Sequence, residues 1–347
     1  MDFAWENLEP LLDLDCAYAD EFQHIFKKTK AELPTNLPAI PQHVKWGEDI
    51  SHVFNSWRNG DGTPSLPALL LNAAHHFDLD MTSDLFSMAL TACMLGEIPH
   101  ENPYHNNHHF REVFFLLVHL CDNHNEIEKN PAMALNHDDI LTLLATAAIH
   151  DFAHKGQGNI IDGMHIQSYV EKQSIEKSKP FFNALGIDNK LLSDIGIMIL
   201  CTDVSRSAEG QSPAEIARDV YLAHQHDNLS IVTVDDLYAP IIESSKLSLM
   251  TILLCEADIA MSSGLDYDFS KKMTKLVADE SSVLQPNAAT LYGFMQSICH
   301  GGYLSRAAQC LLGQNFQGIL LQAEMDSEKN ISYAEQEPKR TQRNIIS

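Results

Sequence analysis

Tyr104-His105-Asn106-Asn107-His108-His109 is the stretch on which the reading of this chain turns, and His150-Asp151-Phe152-Ala153-His154 answers it further on. His105 and His109 are four apart, so on a helix they point the same way. In the second stretch a His-Asp pair ends the apolar run Ile140 to Ile149, and another His follows one turn later. A buried Asp directly beside a His at the end of an apolar helix is expensive unless it is paired or metal-bound. Asp258 closes a second apolar run, Leu247 to Ala257. Imidazole and carboxylate together suit a borderline or hard divalent cation such as zinc, magnesium or manganese. The expectation is three apolar helices that deliver His109, His150-Asp151 and Asp258 to one point.

Outward from these stretches, the rest of the chain reads as helix after helix. Apolar periodicity predicts helices over 66–77, 82–95, 107–124, 138–149, 160–175, 188–202, 213–225, 240–262, 268–279 and 287–323. Few stretches alternate with a period of two, and the nearest, Ser230–Val234, is short. No Gly-rich phosphate loop and no strand–helix alternation appears, which argues against Rossmann and P-loop architectures. The fold class is therefore all-α, a compact multi-helix bundle. Residues 1–64 form a helical N-terminal region, 65–325 the catalytic domain, and 326–347 a polar tail expected to be mobile. The pairs His75-His76 and Asp78/Asp80 read as helix-end caps rather than a second metal site.

Bulk composition narrows the function. With 347 residues the chain is able to bury a large core, and its hydrophobic fraction of 45% is that of a globular protein. No run reaches the roughly 18 apolar residues that a spanning helix needs, so membrane insertion is not expected. The N-terminus has no basic segment followed by an apolar one, so no secretory signal is visible and a cytoplasmic protein is expected. Seven scattered cysteines, never spaced Cys-x-x-Cys, read as reduced thiols. A net charge of −24, from 23 Lys+Arg against 47 Asp+Glu, offers no basic footprint for a nucleic-acid polymer. A small anionic substrate is compatible with that acidity if bound cations reverse the sign locally.

The two histidine stretches also carry a resemblance. Tyr104-His105-Asn106-Asn107-His108-His109 with Glu112-Val113 resembles the Tyr-His-Asn-x-x-His-Ala-x-Asp-Val signature of class I cyclic-nucleotide phosphodiesterases. His150-Asp151-x-x-His154-x-Gly156-x-x-Asn159 is similar to that family's His-Asp-x-x-His-Pro-Gly-x-x-Asn, its HD-superfamily metal element. Thr202-Asp203-Val204-Ser205, Ala257-Asp258-Ile259 and Gly293-Phe294 resemble three further family motifs, in the family's order, over roughly residues 80–315.

The resemblance implies hydrolysis of 3′,5′-cyclic nucleotides, cAMP or cGMP, to 5′-monophosphates at a binuclear metal site. It implies that His109, His150, Asp151 and Asp258 bind the first ion, zinc, and that Asp151 bridges to a second, magnesium or manganese. His105 would be the general acid. His154, Glu171 and Asp203 would orient ligands and the waters of the second ion, Glu171 being reached by allowing a deletion after Asn159. Tyr104, Leu291 and Phe294 would face the nucleotide, Phe294 as the ring that stacks on the purine. Two departures stand out: Leu291 replaces the family's purine-binding glutamine, and Ile259-Ala260-Met261 replaces Leu-Ser-Asn. Gln285 and Gln296 are the candidate substitutes. Two other readings use the same residues, an HD-type hydrolase of another phosphorylated small molecule and a silent binding protein on the same scaffold. The sequence leaves the oligomeric state open.

Overall fold

The computed structural model describes residues 5–32, 46–156, 158–206, 210–229, 235–281 and 285–341, with side chains as far as Glu328. In order, the α-helices are α1 (Ala19–Glu32), α2 (Glu48–Arg58), α3 (Leu66–Phe77), α4 (Asp84–Gly96), α5 (Asn107–Ile127), α6 (His137–Ile149) and α7 (Tyr169–Ala184). There follow α8 (Asn189–Leu200), α9 (Pro213–Gln225), α10 (Ala239–Glu243), α11 (Ser245–Ser263), α12 (Tyr267–Glu280), α13 (Ala288–Ser297) and α14 (Arg306–Thr341). Among the described residues the only sheet is a two-stranded hairpin, β1 (Ile160–Ile161) against β2 (Met164–His165).

Most helices start where a short polar side chain can accept from the first free backbone N–H groups. Ser65, Ser83, Asn106, Asp188, Ser244, Asp266 and Asn287 each do so. Asn136 with Asp139, and Ser212 with Glu215, form reciprocal capping boxes. Asp78 ends α3 in the left-handed conformation and Asp80 caps Thr82, while His76 pairs with Asp122 at 3.0 Å.

Burial then sorts the helices. Every residue of α4 from Phe86 to Gly96, and every residue of α6 from Ile140 to Ile149, is buried. Helices apolar on all sides belong at the centre of a bundle. They pack on each other, and α5 and α11 close on α6. Gly96 sets how near α4 and α6 come, because a Cβ there would lie 2.3 Å from the Ala148 carbonyl oxygen. The N-terminal region joins the same core: Leu8, Leu11, Phe22 and Phe26 are buried in it, and Arg58 forks onto the buried Glu112 of α5 at 2.7 Å. No single described helix is long and apolar enough to cross a membrane.

Three expected helices differ. The span 160–175 begins as the hairpin, and helix starts only at Tyr169. Asp162 and Gly163 both have positive φ, 50° and 78°, the geometry of a type I′ turn that reverses the chain. The span 240–262 is two helices bent by 105°, because Ser244 takes an extended conformation to cap α11. The span 287–323 breaks between Ser297 and Arg306, where His300 and Gly301 adopt positive φ. The last helix runs on to Thr341, through much of the stretch read as a tail, and Ser230–Val234 lies outside the described residues.

Candidate metal and substrate site

Asn106 places the first pair of ligand candidates. Its side-chain oxygen accepts from the backbone N–H of His108 (2.9 Å) and His109 (3.4 Å), fixing the first turn of α5. Asn107 donates to the carbonyls of Gly96 and Ile98 at 2.7 and 2.8 Å, fastening that turn to the end of α4. His105 therefore lies in the bend ahead of the helix, not one turn down its face as the spacing predicts. Pro103 and the extended cap residue Asn106 (φ −123°, ψ 179°) hold the chain out of helix there. His105 and His109 nonetheless meet, with ring centroids 5.5 Å apart.

His150 and Asp151 leave the C-terminal end of α6, and Asp258 projects from within α11. The four expected ligands converge. His109 Nε2 is 3.2 Å from Asp258 Oδ1 and 3.7 Å from Asp151 Oδ2. His150 Nε2 is 3.3 Å from Asp151 Oδ2 and 3.9 Å from Asp258 Oδ1. Donors about 2.1 Å from one cation stand about 3.0–3.4 Å apart in octahedral or tetrahedral arrangement. His109, His150 and Asp258 bring donor atoms within 4.8 Å of one another, close enough to gather round one ion, and Asp151 stands beside the two imidazoles.

The protonation chemistry also fits. His150 Nδ1 lies 2.8 Å from the Ala147 carbonyl, an acceptor only, so Nδ1 carries hydrogen and Nε2 faces the cluster. Both Nε2 atoms, of His109 and His150, are buried without a hydrogen bond. Orphaned imidazole nitrogens beside two carboxylates are what a divalent cation satisfies. Burial lowers the pKa of His109, keeping it neutral. For His150 burial is outweighed by Asp151, and its pKa rises to about 9, so without a cation Nε2 carries a proton near neutral pH, which a binding cation would displace. Asp151 itself stays well below the usual carboxylate range, because His150 and His105 overcome the effect of burial.

Beside this cluster sits a second one that the sequence does not announce. Glu280, the last residue of α12, receives the His105 imidazole Nδ1 on Oε1 at 2.6 Å. Its Oε2 accepts from the backbone N–H of Tyr104 (3.0 Å) and His105 (3.1 Å). His154 stacks on His105 with centroids 3.9 Å apart, and Asn102 donates to both backbone carbonyls at 2.9 Å. His105 Nε2 faces Asp151 Oδ2 at 3.7 Å. Burial opposes the charge on His105, but Asp151 and Glu280 outweigh it and raise its pKa. Burial and the neighbouring His105 hold His154 down to about 4.

Asp203 and Glu171 complete the polar floor. Asp203 Oδ2 accepts from Ser168 N and Oγ at 2.8 and 3.0 Å, and Oδ1 accepts from Ser205 N at 2.8 Å and from its hydroxyl. That grip holds Ser168 in a left-handed conformation at the start of α7 and so places Glu171 in its first turn. Glu171 Oε2 has no hydrogen bond, and burial with Asp203 and Asp151 lifts its pKa to about 8. Among the described residues the donors close enough to gather round an ion are His109, His150 and Asp258 in one group and His105, His154 and Glu280 in the other, and neither group includes Glu171 or Asp203.

Of these groups His105, Asp151, His154, Glu171, Asp203, Asp258 and Glu280 line a cavity of about 1170 Å³, while His109 and His150 lie buried behind it. One wall is the cation side just described. The hairpin adds Ile160, Asp162 and His165, α11 to α13 add Ile259, Val277, Thr290 and Phe294, and Ile298 follows at the end of α13. Tyr104 lines it too, its hydroxyl 3.2 Å from Ser262 Oγ. Leu291 does not line it: at 1% exposure it points into the core. Gln285 and Gln296 are exposed and lie outside the lining.

In overall fold the chain is similar to LmjPDEB1. That solved Leishmania structure, in complex with IBMX, aligns over 95% of this chain and 98% of its own at 14% identity and a TM-score of 0.48. No protein-family model matches the sequence, and no curated protein matches it.

Proposed function

We propose that this chain is a divalent-metal-dependent hydrolase that opens 3′,5′-cyclic nucleotides to 5′-monophosphates. The observation that carries the proposal is the convergence of His109, His150, Asp151 and Asp258 beside the His105–Glu280 pair. Among the described lining residues there is no Lys or Arg, so an anionic phosphate must be held by cations and by imidazolium. His109, His150, Asp151 and Asp258 would hold zinc, their mixed nitrogen and oxygen donors suiting it. Asp151 would be shared with magnesium or manganese on the side of Glu171, Asp203 and His154. Bound there, such ions supply Lewis-acid stabilisation of the phosphoryl group and a nucleophile near neutral pH.

The chain's own residues do the rest. Glu280 fixes the His105 ring through Nδ1 and favours its imidazolium form, leaving the Nε2 proton turned toward Asp151 and the cavity. That proton is the one the departing 3′-oxygen takes up. Asn102 and the His154 ring stop His105 from swinging away. Phe294 and the apolar wall take the base and exclude water around it.

The test is hydrolysis of cyclic nucleotides with added Mn²⁺ or Mg²⁺, compared with His105→Ala. Turnover that falls by about 10²- to 10⁴-fold in the variant supports the proposal. A second reading, hydrolysis of a different phosphoester, is favoured by the buried position of Leu291, and turnover of such esters alone would select it.

A further inference from the structure

We infer that the site is tolerant of the base and hydrolyses the cyclic monophosphates of adenosine, guanosine, cytidine and uridine with similar efficiency. The inference rests on the proposed function and concerns the wall of the cavity opposite the cation cluster. Selecting one base needs a polar group whose donor and acceptor are fixed in place, such as a carboxamide. Among the described lining residues the only carboxamide is Asn159, and its loop already uses it. Its oxygen accepts from Val170 N at 2.8 Å, and its NH₂ reaches Ser205 Oγ at 3.5 Å. Glu280, the one carboxylate on α12 facing the cavity, is spent on Tyr104 and His105.

What α11 to α13 leave on that wall is hydrocarbon, the Phe294 ring and hydroxyls; Asp162 and His165 line the cavity from the hairpin, but both are solvent-exposed, and His165 Nε2 is already engaged by Ser205 Oγ at 2.9 Å. The hydroxyls are not neutral observers, but they do not discriminate. Thr274 donates its hydrogen to the Ser270 carbonyl at 2.9 Å, and Thr290 donates to Asn287 Oδ1 at 3.3 Å. Both therefore present only lone pairs to a ligand. Every one of the four bases carries at least one N–H donor on its edge: an amino group on adenine, guanine and cytosine, and an imino group on guanine and uracil. The two threonine hydroxyls can accept from each of them. Stacking on Phe294 is equally indifferent to base identity, because every base offers a π-face. Gly293 leaves open space beside that ring, where a Cβ would meet nothing within 4 Å, so purines and pyrimidines both find room. Apolar pockets distinguish related ligands by only about 10- to 200-fold, whereas sites that hydrogen-bond a specific group reach about 10⁴-fold.

The experiment measures kcat/KM for the four 3′,5′-cyclic nucleotides with one metal-loaded preparation, and equilibrium binding of the same four. The expected result is a spread of about tenfold or less in both, with Phe294→Ala raising KM for all four by a similar factor of about ten. A preference above a hundredfold for one base, with that nucleotide hydrolysed, overturns base tolerance and leaves the proposed function standing. Phe294→Ala that weakens one nucleotide and spares the others also overturns it. Failure of all four to bind or turn over overturns both.

Discussion

At the scale of single residues, the proposed site divides its labour between groups that would hold cations and groups that would hold a proton. Asp151 is within 3.7 Å of three imidazole nitrogens and is the candidate shared ligand, so Asp151→Ala is expected to abolish activity and metal content together. Glu280→Gln is expected to retain the ion of His109, His150 and Asp258, because Glu280 touches only His105, His154 and backbone N–H groups. It removes one of the charges that raise the His105 pKa, so the imidazolium form is lost at lower pH. The alkaline limb of the pH–rate profile should therefore move toward acid, with kcat down by roughly 10²-fold. Elemental analysis and pH profiles check this. Equal metal loss in the two variants, or an unmoved alkaline limb in Glu280→Gln, would sink the assignment. The four ligand candidates were legible in the sequence because a His-Asp pair at the end of an apolar run is too costly to be accidental. Glu280 was not legible, since it lies 175 residues from His105 and looks like any acid ending an amphipathic helix. Leu291 shows the converse: its place in a motif suggested the cavity, and packing turned it into the core.

At the scale of elements, most helices could be read from apolar runs punctuated by Ser, Asp and Asn caps, and the misreadings all fall where backbone conformation overrides composition. Asp162-Gly163 between Ile160-Ile161 and Met164-His165 is a hairpin signal, yet the apolar residues around it mimic a helix start. Ser244 is an N-cap hidden inside a continuous apolar pattern. The elements that matter most to the proposed site are α4 and α6, since they pack on each other and α6 delivers His150 and Asp151. Gly96→Ala tests that contact. The added methyl would stand 2.3 Å from the Ala148 oxygen and 2.7 Å from Leu66 Cδ1, and the former is backbone, so one helix must move. The expected cost is about 1–3 kcal/mol of stability, with weaker cation binding because Ala148 is two residues from His150. Thermal melts with and without Mn²⁺ measure both effects. A variant that melts and binds like the parent would show that the helix contact does not aim the site.

At the scale of the whole molecule, one core serves both the N-terminal helices and the site, so stability and cation binding are linked. A cation that binds the folded site alone adds about 4 kcal/mol at a thousandfold excess over its Kd. For a chain of this size that is a rise in melting temperature of roughly 5 °C, reversed by a chelator. No rise with zinc, manganese or magnesium would count against the site. Acid acts on the same core by a separate route. His119 is buried with Nε2 unpaired, its ring 4.6 Å from that of Phe115 and 4.9 Å from that of Trp46. Burial holds its pKa down to about 4, below the ordinary value of 6.5. Between those values the unfolded chain takes up a proton that the folded chain refuses, so its contribution is whole above pH 6.5 and is lost as pH falls. At pH 5 the loss from this one group is about 2 kcal/mol. Relief of self-repulsion among the acidic groups works in the opposite direction, so the wild type alone does not isolate the effect. Comparing it with His119→Phe does, with chelator present so that loss of a cation at low pH does not intrude. The difference in unfolding free energy between the two proteins should change in favour of the variant by about 2 kcal/mol from pH 7.5 to pH 5, and a difference independent of pH would mean that His119 is protonated in the folded core.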